Sequence, residues 1–221
     1  MIDTCYYCGE QATSDEHAPP KCVFPRQKDT VDRIDYRRNL ITVRSCDAHN
    51  SHKSKEDEYL LYVLALSLPS NDVGKNLFLS KVLRAIQRRP KLMDRLLMNH
   101  QPVTLHDTVN DEWSTSIALT PDEGRLNSAF EGIARAIYFH ETGKVWANRA
   151  QVYVEFLISM HDVKQNQFRE TVEKDLDGML KQVPHKGQNQ DVFSYQLALL
   201  EDKILLRMHF YGNSKVTVIR A

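Results

Sequence analysis

Four cysteines constrain the fold of this chain more than any other feature, because all of them lie within its first 46 residues. Cys5 and Cys8 are separated by two residues, and so are Cys46 and His49. A two-residue gap lets a tight turn place both side chains on one tetrahedral ion, so these four residues predict a structural Zn²⁺ site. The alternative, unrelated free thiols, leaves two such gaps unexplained. Cys22 has no partner at a useful spacing and is interpreted as a core residue or a spare thiol.

The charge balance excludes one class of function. The chain has 221 residues, of which 29 are basic and 29 acidic, so its formal net charge is zero. This argues against a polycation that coats nucleic acid indiscriminately. Basic residues nevertheless dominate two stretches, 21–44 and 81–95. Such local excess can neutralise phosphates, although the second stretch is equally well explained as a solvated helix face.

The chain shows no sign of a membrane segment. Its best apolar run, 59–68, is about half the length that a bilayer requires. Residues 1–5 lack the basic and apolar regions of a secretory signal. We therefore expect a cytoplasmic protein that does not contact membranes.

Hydrophobic patterning predicts an α+β fold with domains over residues 1–68 and 69–221. The first part is poor in apolar residues and rich in Cys, His, Pro and charge, as is typical of a small module braced by metal. It is expected to contain a strand at 39–45 and a helix from about His49 to Ser67. The second part is expected to combine helices with antiparallel strands. The helices are predicted at 71–89, 91–99, 121–143 and 168–183, and the strands at 103–109, 113–119, 151–160, 193–199, 204–210 and 215–220.

Two helix starts are predicted from capping residues. Ser70 is expected to cap the helix that begins at Asn71. Thr120 is expected to cap the next long helix, with Pro121 at its first position and Glu123 at its third.

An acidic residue directly followed by histidine, Glu16-His17, is the main candidate for chemistry, because it can present a metal ligand and a base at one point. Hydrolysis of a phosphodiester needs a base near the attacking water and a cation on the leaving oxygen. His17 suits the first role because the ordinary pKa of an imidazole lies near neutrality. Glu16 and Asn50 offer hard oxygen ligands for Mg²⁺ or Mn²⁺. Asn39 is expected to hold the loop that carries His17 by bonding its backbone. Lys53 follows Asn50 by about one helical turn and can meet phosphate.

Three motifs follow one another in the first quarter of the chain: Glu16-His17-x-x-Pro20, Asn39-Leu40 and Cys46-x-x-His49-Asn50-x-x-Lys53-Ser54. Together they resemble the HNH endonucleases of the ββα-metal superfamily. The resemblance implies a zinc-braced strand–strand–helix module with His17 as general base and Asn39 in a mainly structural role. It also implies a catalytic divalent ion bound by Glu16 and Asn50. The chain departs from the family in having Glu rather than Asp before the base, and Cys-x-x-His as its second zinc pair.

The resemblance implies DNA as the partner, and the basic residues near the motifs are candidates for binding it: Lys21, Arg37, Arg38, Arg44 and Lys53. Residues 135–143 are also similar to a stretch in bacterial HNH proteins, including nucleases of anti-phage defence. In a homo-oligomer, two sites that each cut one strand could cut both strands.

Three hypotheses remain open from the sequence. The first is a metal-dependent DNA endonuclease. The second is a non-catalytic, zinc-dependent nucleic-acid-binding module, which needs neither His17 nor Asn50. The third is a toxin or defence subunit that stays inactive until a regulatory partner or a nucleotide activator engages residues 69–221.

Overall fold

The computed structural model describes residues 3–50, 53–88, 100–107, 110–201 and 203–220, without the side chains of Lys53, Ser54 and Asp107. The described part is an α+β fold with antiparallel sheets, as predicted. Its strands are β1 (Ser14–His17), β2 (Thr42–Ser45), β3 (Gln101–Asp107), β4 (Glu112–Ala118), β5 (Gln151–Val154), β6 (Phe193–Leu199), β7 (Ile204–Phe210) and β8 (Ser214–Arg220). Its helices are α1 (Asp47–Asn50), α2 (Lys53–Leu66), α3 (Asp72–Leu77), α4 (Leu83–Arg88), α5 (Glu123–Thr142) and α6 (Val163–Leu180). The predicted helix 91–99 lies outside the described residues.

Strands β1 and β2 form a two-stranded antiparallel sheet near the N-terminus, and α1 follows β2 directly. The strand predicted at 39–45 begins only at Thr42. Asn39 has a left-handed backbone with φ of 53°, which a strand cannot contain. The β1–β2 pair packs on α5, where Tyr6 and Val43 meet Ala136 and Phe139 in a small buried cluster.

A four-stranded antiparallel sheet in the order β5-β8-β7-β6 dominates the C-terminal part. The strands predicted at 193–199 and 204–210 are confirmed. One face of this sheet joins the main core, where Phe210 meets Phe130 of α5. The other face is covered by α6, whose Leu176 and Leu180 pack with Leu205. Because both faces are covered, six of the seven residues of β7 are buried.

The main hydrophobic core contains residues from both predicted domains, 1–68 and 69–221. It contains Val23, Phe24 and Leu60 together with Leu126 and Val216, among others. The hydroxyl of Tyr211 donates a hydrogen bond of 2.5 Å to the carbonyl of Val23. The C-terminal sheet therefore contributes directly to the burial of the N-terminal segment.

Two helix caps differ from the prediction. Asn71 caps α3 by accepting a hydrogen bond of 3.1 Å from the Gly74 N–H, whereas the Ser70 hydroxyl donates to the carbonyl of Leu64. Asp122 caps α5 by accepting from the Arg125 N–H at 3.1 Å, in place of Thr120. Asp caps a helix better than Thr, whereas Ser and Asn are equally good caps, and here the hydroxyl of Ser70 is bonded to Leu64 instead.

Three element bounds also differ from the prediction. The helix predicted at 71–89 consists of α3, a π-helical turn at Phe78–Val82 and α4. The strand predicted at 151–160 ends at Val154. Helix α6 begins at Val163, five residues before the predicted start, because the side chain of Asp162 caps it. Gly143 ends α5 with φ of 68°, as its sequence position predicted.

A buried ion pair lies between the sheet and α6. Arg207 and Glu155 are 1% and 4% exposed. Arg207 Nε donates to Glu155 Oε1 at 3.2 Å, and its Nη2 donates to the other carboxylate oxygen. The hydroxyl of Thr217 donates to Glu155 at 2.6 Å, and Asp177 accepts from Arg207 Nη1 at 2.5 Å. Both buried charges are therefore hydrogen-bonded as well as paired.

No helix within the described ranges is long and apolar enough to cross a bilayer.

Candidate metal centre and active site

The four residues predicted to bind zinc come together. The ligand atoms of Cys5, Cys8, Cys46 and His49 all lie within 4.8 Å of one another. The Sγ atoms of Cys8 and Cys46 are 3.8 Å apart, and His49 Nδ1 lies 3.8 Å and 3.1 Å from the Sγ atoms of Cys5 and Cys46. Thiolates on a tetrahedral Zn²⁺ lie about 3.8 Å from each other, since each Zn–S bond is about 2.3 Å. The cluster therefore has the chemistry and the size to hold a metal ion such as zinc.

The local sequence explains why these ligands converge. Gly9 adopts a left-handed backbone with φ of 80°, and its N–H donates to the carbonyl of Cys5 at 2.9 Å. This turn brings Cys8 back over Cys5. On the other side, Cys46 precedes α1, and its carbonyl accepts the N–H of His49 at 3.0 Å. The ring of His49 stacks on Tyr7 with centroids 4.3 Å apart, which fixes its orientation.

The environment of Cys5 favours its thiolate form. Burial raises the pKa of the Cys5 thiol, but the backbone N–H groups of Cys8, Tyr7 and Cys46 outweigh burial and lower it below its usual value. The thiolate is the form that binds metal.

Two hydrogen bonds link α1 to the first strand and the residue before it. Asn50, the last residue of α1, donates from Nδ2 to the Ser14 hydroxyl at 2.8 Å. Thr13 donates to the carboxylate of Asp47 at 2.6 Å. The first strand and α1 are thus held together beside the cluster.

Glu16 and His17 lie on opposite faces of this ribbon. Glu16 pairs with the buried Val43, and its Oε1 accepts from the Tyr6 hydroxyl at 3.3 Å. His17 pairs with Thr42 on the other face. Because consecutive strand residues alternate, the two side chains do not meet at one point, contrary to the expectation from their adjacency. Glu16 instead shares a face with Ser14, the partner of Asn50.

Thr42 is the hydrogen-bond partner of His17. Thr42 Oγ1 lies 3.1 Å from His17 Nδ1 and 3.3 Å from the carbonyl oxygen of Leu40. The single hydroxyl proton fits either acceptor, so the contact orients the ring through Nδ1 in both of its neutral tautomers.

Asn39 does not make its expected contact. It lies exposed in the turn before β2, and within the described ranges its side chain forms no hydrogen bond to the loop that carries His17. That loop is held by the Ala18 N–H, which donates to the carbonyl of Ile41 at 3.0 Å. The left-handed backbone of Asn39, a conformation that Asn tolerates, points to a role in the turn.

Arg44, one of the predicted nucleic-acid-binding residues, is occupied by two carboxylates. Its Nη1 donates to Asp15 at 3.0 Å and its Nη2 to Asp3 at 3.1 Å. These hydrogen bonds raise the pKa of Arg44. Its charge is therefore largely neutralised within the protein.

The other predicted DNA-binding residues differ in accessibility. Lys21 and Arg38 are exposed and form no ion pair in the part of the chain that the structure describes. Arg37 is half-buried and donates from Nε to the carbonyl of Phe24 at 3.0 Å. The side chain of Lys53 lies outside the described atoms.

Thr42 and Tyr6 were missed by sequence reasoning. Both touch a predicted site residue, but their partners are 25 and 10 positions away in the chain. Only the register of β1 against β2 identifies Thr42 as the partner of His17.

Comparison of the chain with family models, with curated proteins and with solved structures finds no match. The assignment of an activity therefore rests on the geometry described above and on the sequence motifs.

Proposed function

We propose that this protein is a metal-dependent HNH endonuclease that hydrolyses DNA phosphodiester bonds. The observation that carries the proposal is the hydrogen bond between Asn50 and Ser14 at 2.8 Å, which docks α1 on β1 beside the Cys₃His cluster. It supports the ββα arrangement that the motifs imply. The similarity of residues 135–143 to defence nucleases favours a role against phage.

In this proposal, each step of the hydrolysis is assigned to residues of the chain. Nε2 of His17 takes the proton of the attacking water. This role places the ring proton on Nδ1, from which the hydroxyl of Thr42 then accepts a hydrogen bond. Glu16 and Asn50 offer a carboxylate and an amide oxygen, which fit Mg²⁺ or Mn²⁺ as ligands. When bound, such an ion stabilises the negative charge that develops on the leaving oxygen.

The separation of His17 from Glu16 is compatible with this chemistry. In an in-line displacement the nucleophile and the leaving oxygen lie on opposite sides of phosphorus. The base and the ligands of the ion therefore act from different directions.

The test is cleavage of supercoiled plasmid by the purified protein with Mg²⁺, with Mn²⁺ and with no added divalent ion. His17→Ala is expected to lower the cleavage rate by about 10²–10⁴-fold, because it removes the general base. The matched control is His140→Ala, which removes an exposed histidine near the end of α5. Cleavage that survives His17→Ala contradicts the proposal. If the wild type and His17→Ala both leave the plasmid uncut and retard it equally on a gel, the non-catalytic binding module becomes the better explanation.

A second prediction concerns the orientation of His17. Thr42→Val keeps the shape of the side chain but removes the acceptor for Nδ1–H, and is expected to slow cleavage by about 10–100-fold. Thr42→Ser keeps the hydroxyl and is expected to restore most of the rate. The measurement is the pH–rate profile of the three proteins with their melting temperatures. Equal profiles for Val and Ser would show that Thr42 does not position the base.

A further inference from the structure

A cavity that we call the basic cavity lies between α2, α4 and the loop from β1 to β2. Its volume is about 670 Å³, within the range of small-molecule sites. Six cationic side chains line it: Arg26, Lys28, Lys55, Lys81, Arg84 and Arg88. Glu16, His17 and Asn50 do not line it, so it is separate from the proposed catalytic residues.

Both basic stretches of the sequence meet in this cavity. Arg26 and Lys28 come from the stretch 21–44, and Lys81, Arg84 and Arg88 come from the stretch 81–95. If the two stretches were only solvated surface, nothing would favour placing them side by side, because bringing like charges together costs electrostatic energy. The fold brings them together across more than 50 residues of intervening chain.

The positive charge of the basic cavity is only partly neutralised. Three carboxylates line it, those of Asp29, Asp57 and Glu58. Asp29 accepts from Arg84 Nη2 at 2.6 Å. Counting described residues only, Arg26, Lys28, Lys55 and Arg88 are exposed and form no ion pair. The cavity therefore keeps a rim of available cations.

Lys81 lies deeper than the rim and is held in place. It is half-buried, and its Nζ donates to the carbonyl of Cys22 at 2.8 Å, which leaves two of its three protons for a ligand. It belongs to the π-helical turn Phe78–Val82, and such turns are frequent at functional sites. Burial lowers the pKa of Lys81, and the nearby Arg37 and Arg26 lower it further, against the opposing effects of Cys22 and Asp29. A bound anion would stabilise the charged form of Lys81.

We propose that the basic cavity binds a small ligand with adjacent phosphoryl groups, such as pyrophosphate or the polyphosphate of a nucleotide. Phosphoryl oxygens accept charge-assisted hydrogen bonds from Lys and Arg. The six cations of the cavity exceed its three carboxylates, so a ligand with two neighbouring phosphoryl groups can neutralise the excess positive charge. The ligand is small because its deepest contact, Lys81, lies inside a cavity of about 670 Å³ rather than on an open surface.

The test is isothermal titration calorimetry of the full chain with pyrophosphate and with ATP, at low salt and without added divalent ion. Lys81→Met is expected to lower the affinity for both ligands by at least about tenfold, because it removes a charge-assisted hydrogen bond. The double variant Lys28→Gln/Arg88→Gln removes two exposed cations and leaves the packing intact. It is expected to weaken binding about threefold or more. Lys174→Gln, which removes an exposed charge on α6, is the control and is expected to bind as the wild type does.

Binding that weakens in both cavity variants and not in the control supports the proposal. Failure of the wild type to bind either ligand at millimolar concentration overturns it, as does equal binding by all four proteins. A short DNA duplex is titrated in parallel. If the duplex alone binds, and loses affinity in the cavity variants, the phosphates are those of nucleic acid and the small-ligand proposal is overturned. Titration of His17→Ala separates this result from the nuclease proposal, because binding here does not require cleavage.

Discussion

Cys46→Ser is expected to abolish zinc binding and to lower the melting temperature by about 10 °C or more. The reason is that the Sγ of Cys46 lies 3.1 Å from His49 Nδ1 and 3.8 Å from the Sγ of Cys8, so the substitution removes one of four converging ligands. A structural zinc site supplies folding energy directly, because the unfolded chain holds no preformed site. Without the ion, α1 keeps only its hydrogen bonds to Thr13 and Ser14 as anchors to this part of the fold.

The measurements are the zinc content of the purified protein and its thermal unfolding. The wild type is expected to carry one zinc ion per chain. Cys22→Ala is the matched control, because Cys22 lies outside the cluster and its Sγ donates to the carbonyl of Asp57. We expect this variant to keep its zinc. A wild type that contains no zinc and melts together with Cys46→Ser would show that the cluster is not a metal site.

Arg207→Met is expected to reduce the free energy of unfolding by about 3–5 kcal/mol. The substitution leaves the carboxylate of Glu155, which is 4% exposed, without its charged partner. The hydroxyl of Thr217 still donates to it, but one neutral hydrogen bond does not compensate a buried charge.

Urea unfolding of four proteins separates the buried charge from the packing. The double variant Arg207→Met/Glu155→Met is expected to recover most of the loss, because it buries no unpaired charge. Lys75→Met is the exposed control, since its ion pair with Asp72 spans 3.8 Å in solvent and contributes at most about 1 kcal/mol. If Arg207→Met costs no more than Lys75→Met, the pair at Glu155 is not a stabilising contact.

The zinc ligands could be found from the sequence because their spacing is local and their chemistry is restrictive. Each pair, Cys5 with Cys8 and Cys46 with His49, is set by one turn of backbone. The surroundings of His17 could not be found in this way. The partner at Thr42 depends on strand register, which the sequence of either strand alone does not contain.

In contrast, the sequence could have predicted that Glu16 and His17 lie on opposite faces of the strand. Strand residues alternate with a period of two, so a strand at this point already separates neighbouring side chains. Treating the acidic-His pair as a single unit overlooked that period. The same alternation correctly predicted the strands at 193–199 and 204–210.

The errors in the helices have another origin. Asn71 and Asp122 each lie one or two residues after the predicted cap, and several neighbouring residues there could cap a helix. The choice depends on the backbone angles at the turn. Strand β5 ends at Val154 because a turn follows, in which the N–H of Leu157 donates to the carbonyl of Val154 at 3.5 Å. These end points depend on the backbone conformation of the turns, which residue type alone does not determine.

The hydrogen bond from Tyr211 to Val23 has a consequence for the order in which the chain folds. Its two ends are 188 residues apart, so it can form only after nearly all of the chain has left the ribosome. The zinc ligands, separated by at most 44 positions, can assemble much earlier. The nascent protein would then carry a metal-braced N-terminal segment whose apolar residues, including Val23 and Leu60, stay exposed until the last strands are made and cover them. Contacts of such long range slow folding, and they make completion of the N-terminal segment depend on synthesis of the C-terminal one.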